Sequence, residues 1–217
     1  MPMPSLLLDA LGALAAPERC AACDARVPFR TIFCAACAAT ATAASSLPTR
    51  EVGLTSVHAA FVYGGAIAAA LTRFKYQGRS ELARPLSHLL LRAVPWLRAL
   101  AIDVVVPVPL HRTRLMERGF NQAALLARPL ARRLDAAFAP RALTRVIATA
   151  PQASLSKEAR QRNVRGAFAA RRPASLEGLR ILLVDDVATT GATLAAAALA
   201  AREAKAGALH AIVLARA

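Results

Sequence analysis

Short apolar runs, each bounded by polar residues, predict the strands of a buried sheet. Three of these runs are almost continuously apolar, which is typical of strands that are covered on both faces in a parallel sheet. The predicted strands cover residues 57–63, 103–109, 142–147, 181–184 and 209–215, with an extended segment at 164–168.

Helix-forming stretches separate these strands. Gly78 ends the first stretch, Pro95 interrupts the second, and Asn121 can cap the third. The fourth stretch is rich in alanine, the strongest helix former. The predicted helices cover residues 67–76, 81–100, 122–134 and 194–205. Strands that alternate with helices predict an α/β domain.

Two carboxylates and a hydroxyl-rich loop follow the apolar run at 181–184. Asp185 and Asp186 stand where a parallel strand ends, and open α/β sheets bind their ligands beyond that edge. The loop offers backbone N–H groups and hydroxyls at a helix N-terminus, where a phosphate can bind, and Gly191 allows close approach of the backbone. This arrangement suits a ribose 5-phosphate, because the loop can bind the phosphate and the carboxylates can accept hydrogen bonds from two neighbouring ribose hydroxyls. The alternative is a solvated acidic turn with a threonine cap. The predicted binding stretch comprises Asp185, Asp186, Val187, Ala188, Thr189, Thr190, Gly191, Ala192 and Thr193.

A cationic segment follows the predicted strand at 103–109. His111, Arg112, Arg114 and Arg118 lie between the end of that strand and a helix start, a position where doubly wound sheets bind anions. The segment therefore predicts a second anion site, and the alternative is a solvated basic loop.

Two further stretches have open interpretations. Residues 149–163 are polar, basic and weakly periodic, which favours a mobile lid between strands, with a short helix after Ser156 as the alternative. Lys75 lies between Phe74 and Tyr76, and composition alone favours a lysine that extends to solvent along a core aromatic residue.

All four cysteines fall in two Cys-x-x-Cys knuckles, formed by Cys20, Cys23, Cys34 and Cys37. Four thiolates close a tetrahedral structural Zn²⁺ site, which favours a small zinc ribbon. Two disulfides, or free or redox-active thiols, are the alternatives.

Composition limits the remaining possibilities. A chain of 217 residues with 56% apolar residues is long and apolar enough for one α/β domain with a small appendage. No apolar run reaches the roughly 18–20 residues of a membrane span. Residues 1–16 contain Asp9 and lack a basic start, which favours an amphipathic helix over a signal peptide, so we expect a cytoplasmic protein. The net charge of +15 favours binding of polyphosphates or nucleic acid, unless it reflects a general bias toward arginine.

The stretch 180–193 resembles the binding motif for phosphoribosyl pyrophosphate (PRPP) in type I phosphoribosyltransferases: an apolar strand, an acidic pair and a Thr-Thr-Gly loop. The resemblance implies a type I phosphoribosyltransferase fold, a parallel Rossmann-like sheet flanked by helices, over residues 55–217. It implies that Asp185 and Asp186 bind the ribose 2′ and 3′ hydroxyls of PRPP, that the loop holds its 5′-phosphate, and that Mg²⁺ accompanies the ligand.

The order of the motifs resembles the ComF family in particular. One residue departs from the family pattern, since Asp24 follows Cys23 where the family often has glycine. The matching stretches are 17–20 with both knuckles, 74–78, 106–112, 118–122, 152–156, 160–163, 166–168 and 184–191.

This resemblance implies roles for the other segments. Residues 1–45, an N-terminal helix with the cysteine ribbon, take the position of the hood, and Lys75 is a further site candidate. The implied pyrophosphate loop contains Pro109, Leu110, His111, Arg112, Arg114 and Arg118, and the implied flexible loop over the site contains Gln152, Ser156, Arg160 and Asn163.

We therefore expect a phosphoribosyltransferase with an unidentified acceptor, in which Asp185 and Asp186 orient the ribose and Asp186 is the candidate base. The alternative is a non-catalytic module that senses PRPP or a nucleotide and binds single-stranded DNA, since ComF relatives are associated with competence and the use of external DNA. Only 5% of the residues are aromatic, so DNA binding would depend mainly on phosphate contacts.

Overall fold

The structure, a computed structural model, describes residues 19–45, 47–147, 166–171 and 176–217. In these ranges the strands are β1 (Thr49–Glu51), β2 (Leu54–Val62), β3 (Val104–Pro107), β4 (Ala137–Phe138), β5 (Leu143–Arg145), β6 (Phe168–Ala170), β7 (Ile181–Ala188) and β8 (Leu209–Arg216). The helices are α1 (Ala35–Ala38), α2 (Gly65–Tyr76), α3 (Ala83–Leu91), α4 (Val94–Arg98), α5 (Arg112–Arg118), α6 (Gln122–Leu134) and α7 (Ala192–Glu203), with a 3₁₀ turn at Ser80–Leu82.

Six of the strands form one sheet in the order β1-β2-β8-β7-β3-β4. All neighbours are parallel except β1, which pairs antiparallel with β2 at one edge. The three continuously apolar runs became the adjacent strands β8, β7 and β3, which confirms the predicted parallel sheet. The strands β5 and β6 form a separate antiparallel pair.

Helices cover both faces of the sheet. The helices α2, α3, α4 and α6 pack on one face around Ile67, Leu86 and Leu126, and α7 packs on the other face with the β5–β6 pair. Leu182 and Leu183, which are consecutive in β7, belong to the two different cores. Burial of both faces explains why the sequence of this strand is apolar without alternation.

The cysteine ribbon, defined as residues 19–45, packs against α2. Cys20, Ala21 and Phe33 share a core with Ile67 and Phe74. The two units of the sequence therefore share a continuous apolar contact.

None of the helices in the described part of the chain is long and apolar enough to cross a membrane.

Candidate active site and candidate metal centre

The acidic pair lies inside β7 and not just beyond it. The strand continues to Ala188 because β8 pairs with it along this length, with Asp185 opposite Val213 and Ala188 opposite Arg216. An Oδ1 atom of Asp185 accepts from the N–H of Asp186 at 2.9 Å, and Oδ1 of Asp186 accepts from the N–H of Val187 at 2.8 Å. Each carboxylate thus leans toward the carboxyl edge of the sheet.

Lys75 reaches this pair from the end of α2. Its Nζ atom lies 2.7 Å from Oδ2 of Asp186, and both side chains are largely buried. Burial would lower the pKa of Lys75, but the charge of Asp186 and the direct contact outweigh burial and raise that pKa. The lysine is thus a buried counter-ion and not a solvated residue on an aromatic support.

The two carboxyl groups differ in their surroundings. Burial raises the pKa of Asp185 well above its ordinary value, and the charge of Asp186 acts in the same direction, while Lys75 opposes both. Among the described residues, no cation forms an ion pair with Asp185, whereas Asp186 has Lys75. Burial therefore favours the protonated form of Asp185 in the folded protein.

Arg145, which no motif marks in the sequence, lies near the same edge. It is the last residue of β5, and its guanidinium lies 5.4 Å from the ring centre of Phe168. Burial lowers the pKa of Arg145, while the charge of Asp185 raises it and that of Arg114 lowers it. A basic residue at the carboxyl end of a strand was the available signal.

A small cavity opens in the loop after β7, lined by residues 187–189 and 191–194. Gly191 has a left-handed backbone (φ 73°) and is the N-cap of α7, a helix of 12 residues. The hydroxyl of Thr190 accepts weakly from the N–H of Ala192 at 3.4 Å. The loop therefore lies at the N-terminus of a 12-residue helix, a position where backbone N–H groups can bind an anion.

Glu51, another residue without a sequence signal, touches this loop from β1. A Cβ atom at Gly191 would lie 2.7 Å from its carboxylate, so a side chain at this position would have to displace Glu51. Glu51 is ion-paired with Arg216 at the end of β8, and Arg216 also donates to the hydroxyl of Thr49 at 2.7 Å.

The cationic segment is largely helical, which corrects the expectation of a loop. His111 is the N-cap of α5 and accepts from the N–H of Thr113 at 3.3 Å, and Gly119 ends the helix with φ 79°. These two caps explain why residues 112–118 form a helix. Pro109 is buried, Leu110 and His111 are half-buried, and Arg112 is exposed.

This segment begins beside the acidic pair. Val108 donates its N–H to the carbonyl of Val184 at 2.9 Å, which joins β3 to β7 at the residue before Asp185. Arg114 pairs with Glu117 at 3.2 Å on the helix surface.

Arg118 lies at the other end of the segment. It donates to Oε1 of Gln122 at 2.6 Å and covers the ring of Tyr76 at 5.4 Å. The ring of Phe120 stacks on Phe74 with 5.3 Å between their centres. The end of α2 and the cationic segment therefore form one side of the site.

The residues predicted for the flexible loop, Gln152, Ser156, Arg160 and Asn163, lie outside the described residues, as does the predicted helix at 1–16. The structure brings Lys75, the acidic pair, the loop 187–193 and the start of the cationic segment to one edge of the sheet.

The four cysteines also come together. Their Sγ atoms all lie within 4.8 Å of one another, with Cys23 and Cys34 at 3.7 Å, and none is in a disulfide. A tetrahedral Zn²⁺ with Zn–S bonds of about 2.3 Å sets its sulfurs about 3.8 Å apart, so four thiolates in this arrangement could hold a zinc ion.

Backbone groups around Cys20 favour a thiolate. Burial would raise the pKa of this thiol, but the N–H groups of Cys23, Cys34 and Ala22 outweigh burial and lower the pKa to about 6. Asp24, which replaces the frequent glycine, adopts φ 68°, the left-handed conformation that glycine adopts most easily.

Comparisons with known proteins agree with this architecture. A family model described as the phosphoribosyl transferase domain matches residues 121–217, which include the acidic pair and the loop after it. The DNA utilization protein YhgH of Salmonella typhi is 44% identical over 127 residues, 57% of this chain and 55% of that protein. Competence protein F of Haemophilus influenzae is 37% identical over 129 residues, 57% and 56% of the two chains. Competence protein ComFC of Bacillus subtilis is 31% identical over 134 residues, 62% and 52% of the two chains.

Over residues 121–217 the chain matches a phosphoribosyltransferase-like domain, and it resembles the ComF proteins in sequence. It spans a little over half the length of these curated relatives. The mostly parallel sheet and the four clustered cysteines confirm the fold predicted from the sequence.

Proposed function

We propose that this protein binds PRPP at the carboxyl edge of β7 and transfers its phosphoribosyl group to an acceptor. One observation carries the proposal: a buried acidic pair runs directly into an anion cradle, and a cationic segment begins on the neighbouring strand. This arrangement offers acceptors for a diol between two places that favour anions.

Each part has a role in the proposed reaction. Asp185 and Asp186 accept hydrogen bonds from the ribose hydroxyls, and the backbone N–H groups of 188–193 hold the 5′-phosphate. Arginines of the cationic segment, Arg112, Arg114 and Arg118, neutralise the departing pyrophosphate as positive charge develops on the sugar.

The acidic pair also suits the Mg²⁺ that accompanies PRPP. Oxygen ligands are what Mg²⁺ prefers, and it keeps much of its water shell, so no closed cage of protein ligands is needed. When bound, the ion would neutralise phosphate charge and stabilise the leaving pyrophosphate.

We assign the base to Asp185 in place of Asp186, the residue expected from the sequence. Asp186 is engaged by Lys75 and by the N–H of Val187, whereas Asp185 forms no ion pair among the described residues and its pKa is raised by burial. A raised pKa brings a carboxylate closer to the range that general base catalysis requires.

Calorimetry with PRPP and Mg²⁺ tests the binding proposal. We expect the wild-type protein to bind PRPP and the variant Asp185→Asn/Asp186→Asn to lose most of this affinity. Asp103→Asn is a matched control, because Asp103 precedes β3 at the opposite edge of the sheet and pairs with Arg180 at 2.7 Å. Equal affinity in the double variant and the wild type would exclude ribose recognition by the pair. Release of pyrophosphate in the presence of candidate acceptors then separates transfer from binding alone.

We also propose that the cysteine cluster holds a structural Zn²⁺. The four thiolates fill all tetrahedral positions, so the metal would stabilise the fold and would have no open position for catalysis. Metal analysis should find one equivalent of zinc for each chain.

A second candidate function is binding of single-stranded DNA, by a module that senses PRPP or a nucleotide. The names of the relatives refer to DNA utilization and competence. In this chain, Arg19, Arg26 and Arg30 are exposed on the ribbon, and Arg30 lies 5.3 Å from the ring centre of the exposed Phe29. Such a surface offers phosphate contacts and one stacking residue. The affinity for an oligonucleotide should fall steeply as salt increases, and a flat salt dependence would contradict this function.

A further inference from the structure

The helix α2 carries two buried cations that face different units of the protein. Arg73 faces the cysteine ribbon, and Lys75, two residues later, faces the acidic pair. Two residues of an α-helix span about 3 Å along its axis, so the two contacts are rigidly connected.

Arg73 is held by the ribbon through three groups. One of its terminal nitrogens, Nη1, donates to the carbonyl of Cys20 at 3.1 Å and to that of Ala21 at 3.3 Å, and Nη2 lies 2.8 Å from the carboxylate of Asp24. The residue is only 9% exposed. A guanidinium can make these contacts at once because its donors form a fixed planar fork, which an ammonium group lacks.

The first turn of α2 is attached to the same unit. The hydroxyl of Thr40 accepts from the N–H of Ala66 at 2.9 Å, and a Cβ at Gly65 would lie 2.3 Å from the carbonyl oxygen of Thr40. The ribbon therefore contacts both the start and the last turns of the helix, and α2 cannot slide without breaking these contacts.

At the ligand site, the position of α2 determines where the ammonium of Lys75 lies. The 2.7 Å contact with Asp186 is buried, with 18% of the lysine side chain and 4% of the aspartate side chain exposed. A displacement of about 1 Å would leave a buried carboxylate without its partner, which is costly.

We propose that Arg73 is a positioning residue for the ligand site: by binding the ribbon backbone it fixes Lys75, and through Lys75 it fixes the carboxylate of Asp186. This inference rests on the proposed PRPP site. The ribbon thus contributes to ligand binding through α2, at a distance from the ligand.

A double-mutant cycle on the full chain tests this pathway. Arg73→Met and Lys75→Met should each weaken PRPP binding, measured by calorimetry with Mg²⁺, by roughly tenfold or more. Because Arg73 acts through Lys75, Arg73→Met should add little in the Lys75→Met background. If the two effects multiply in the double variant, the proposal is wrong. Arg73→Lys keeps the charge without the planar fork, so it should recover only part of the affinity, and it serves if Arg73→Met does not fold.

Arg79→Met is the matched control. Arg79 also reaches Asp24, at 3.2 Å, but it lies after α2 and contacts none of the ribbon carbonyls in the described structure. Its substitution should leave PRPP affinity within about twofold of the wild type. If Arg79→Met lost as much PRPP affinity as Arg73→Met, the effect would come from the pairing of either arginine with Asp24, and the positioning role of Arg73 would be overturned.

A ligand-free measurement separates this inference from the proposed function. Acetylation of Lys75, followed by mass spectrometry, should be several-fold faster in Arg73→Met than in the wild type, while Lys205, with 74% of its side chain exposed, is unchanged. Failure of the wild type to bind PRPP would remove the proposed function, yet Lys75 reactivity would still report its positioning. Equal reactivity of Lys75 in both proteins would overturn the inference.

Discussion

The carboxylate of Glu51 lies against Cα of Gly191, so close that a Cβ there would be 2.7 Å from it. This contact joins the edge strand β1 to the loop of the proposed phosphate cradle. It also places a negative side chain, itself paired with Arg216, behind a loop that would receive a phosphate.

Gly191→Ala should lower the free energy of unfolding by about 2–4 kcal/mol. A left-handed alanine costs about 1–2 kcal/mol, and displacement of Glu51 adds a cost of overpacking. Denaturant unfolding measures the change. Gly178→Ala is the matched control, because Gly178 has a similar φ of 72° and nothing within 4 Å of a new Cβ. An equal loss in both variants would show that the Glu51 contact has no energetic importance.

Asp185→Asn should stabilise the protein at neutral pH while it weakens PRPP binding. Burial raises the pKa of Asp185 well above its ordinary value of 3.8, with the charge of Asp186 acting in the same direction, so the folded protein favours the protonated carboxyl. The stability that this proton contributes is full below pH 3.8 and is lost as the pH rises through the folded-state pKa.

Asparagine does not undergo this loss. The advantage of Asp185→Asn in unfolding free energy should therefore grow from acidic pH upward and become constant above the folded-state pKa. Denaturant titrations across roughly pH 5 to 8 measure this difference. A variant that is less stable than the wild type throughout that range would contradict the raised pKa.

Asn121→Ala should cost about 1–2 kcal/mol of stability. The side chain of Asn121 accepts from the N–H of Ala123 at 2.9 Å and donates to the carbonyl of Val108 at 3.1 Å, so it both caps α6 and holds the end of β3. Asn121→Ser keeps a capping oxygen and lacks the donor to Val108, without placing a second acceptor against that carbonyl. Its loss should therefore be smaller, and thermal unfolding of the two variants distinguishes the two contacts.

Cys34→Ser should remove the proposed zinc and lower the melting temperature by more than about 5 °C. Treatment of the wild type with a strong chelator should produce a similar shift, whereas it should have no further effect on the variant. An unchanged melting curve in a protein that contains no metal would contradict a structural zinc site. Replacement of zinc by cobalt gives an absorption spectrum that reports tetrahedral thiolate ligation.

The parts that the sequence predicted well are those with local causes. The continuous apolar runs of β3, β7 and β8 indicate strands that are buried on both faces, and these strands are buried in the structure. The side chain of Asn121 forms the expected helix cap. The clustering of the cysteines follows from the spacing of two knuckles.

The parts that were missed depend on contacts between distant segments. From the sequence alone, Lys75 is explained as a lysine that extends to solvent along a core aromatic residue. Only the packing of α2 at the end of β7 brings its ammonium group to Asp186. The contacts of Glu51 with Arg216, and of Arg73 with the carbonyl of Cys20, join residues without a shared motif. The sequence predicts a loop where α5 forms, because the caps of this helix, His111 and Gly119, are weak signals in a strongly basic stretch.

The strand order has a consequence for biosynthesis. The long strand β2 pairs with β8, which lies far along the sequence, and Ser56 lies opposite His210. During translation β2 gains this parallel neighbour only after residues 209–216 have been synthesised, and until then the emerging chain exposes an apolar strand edge. Such non-local pairing slows folding and favours aggregation of incomplete chains, so a ribosome-bound chain that lacks β8 is a candidate substrate for chaperones.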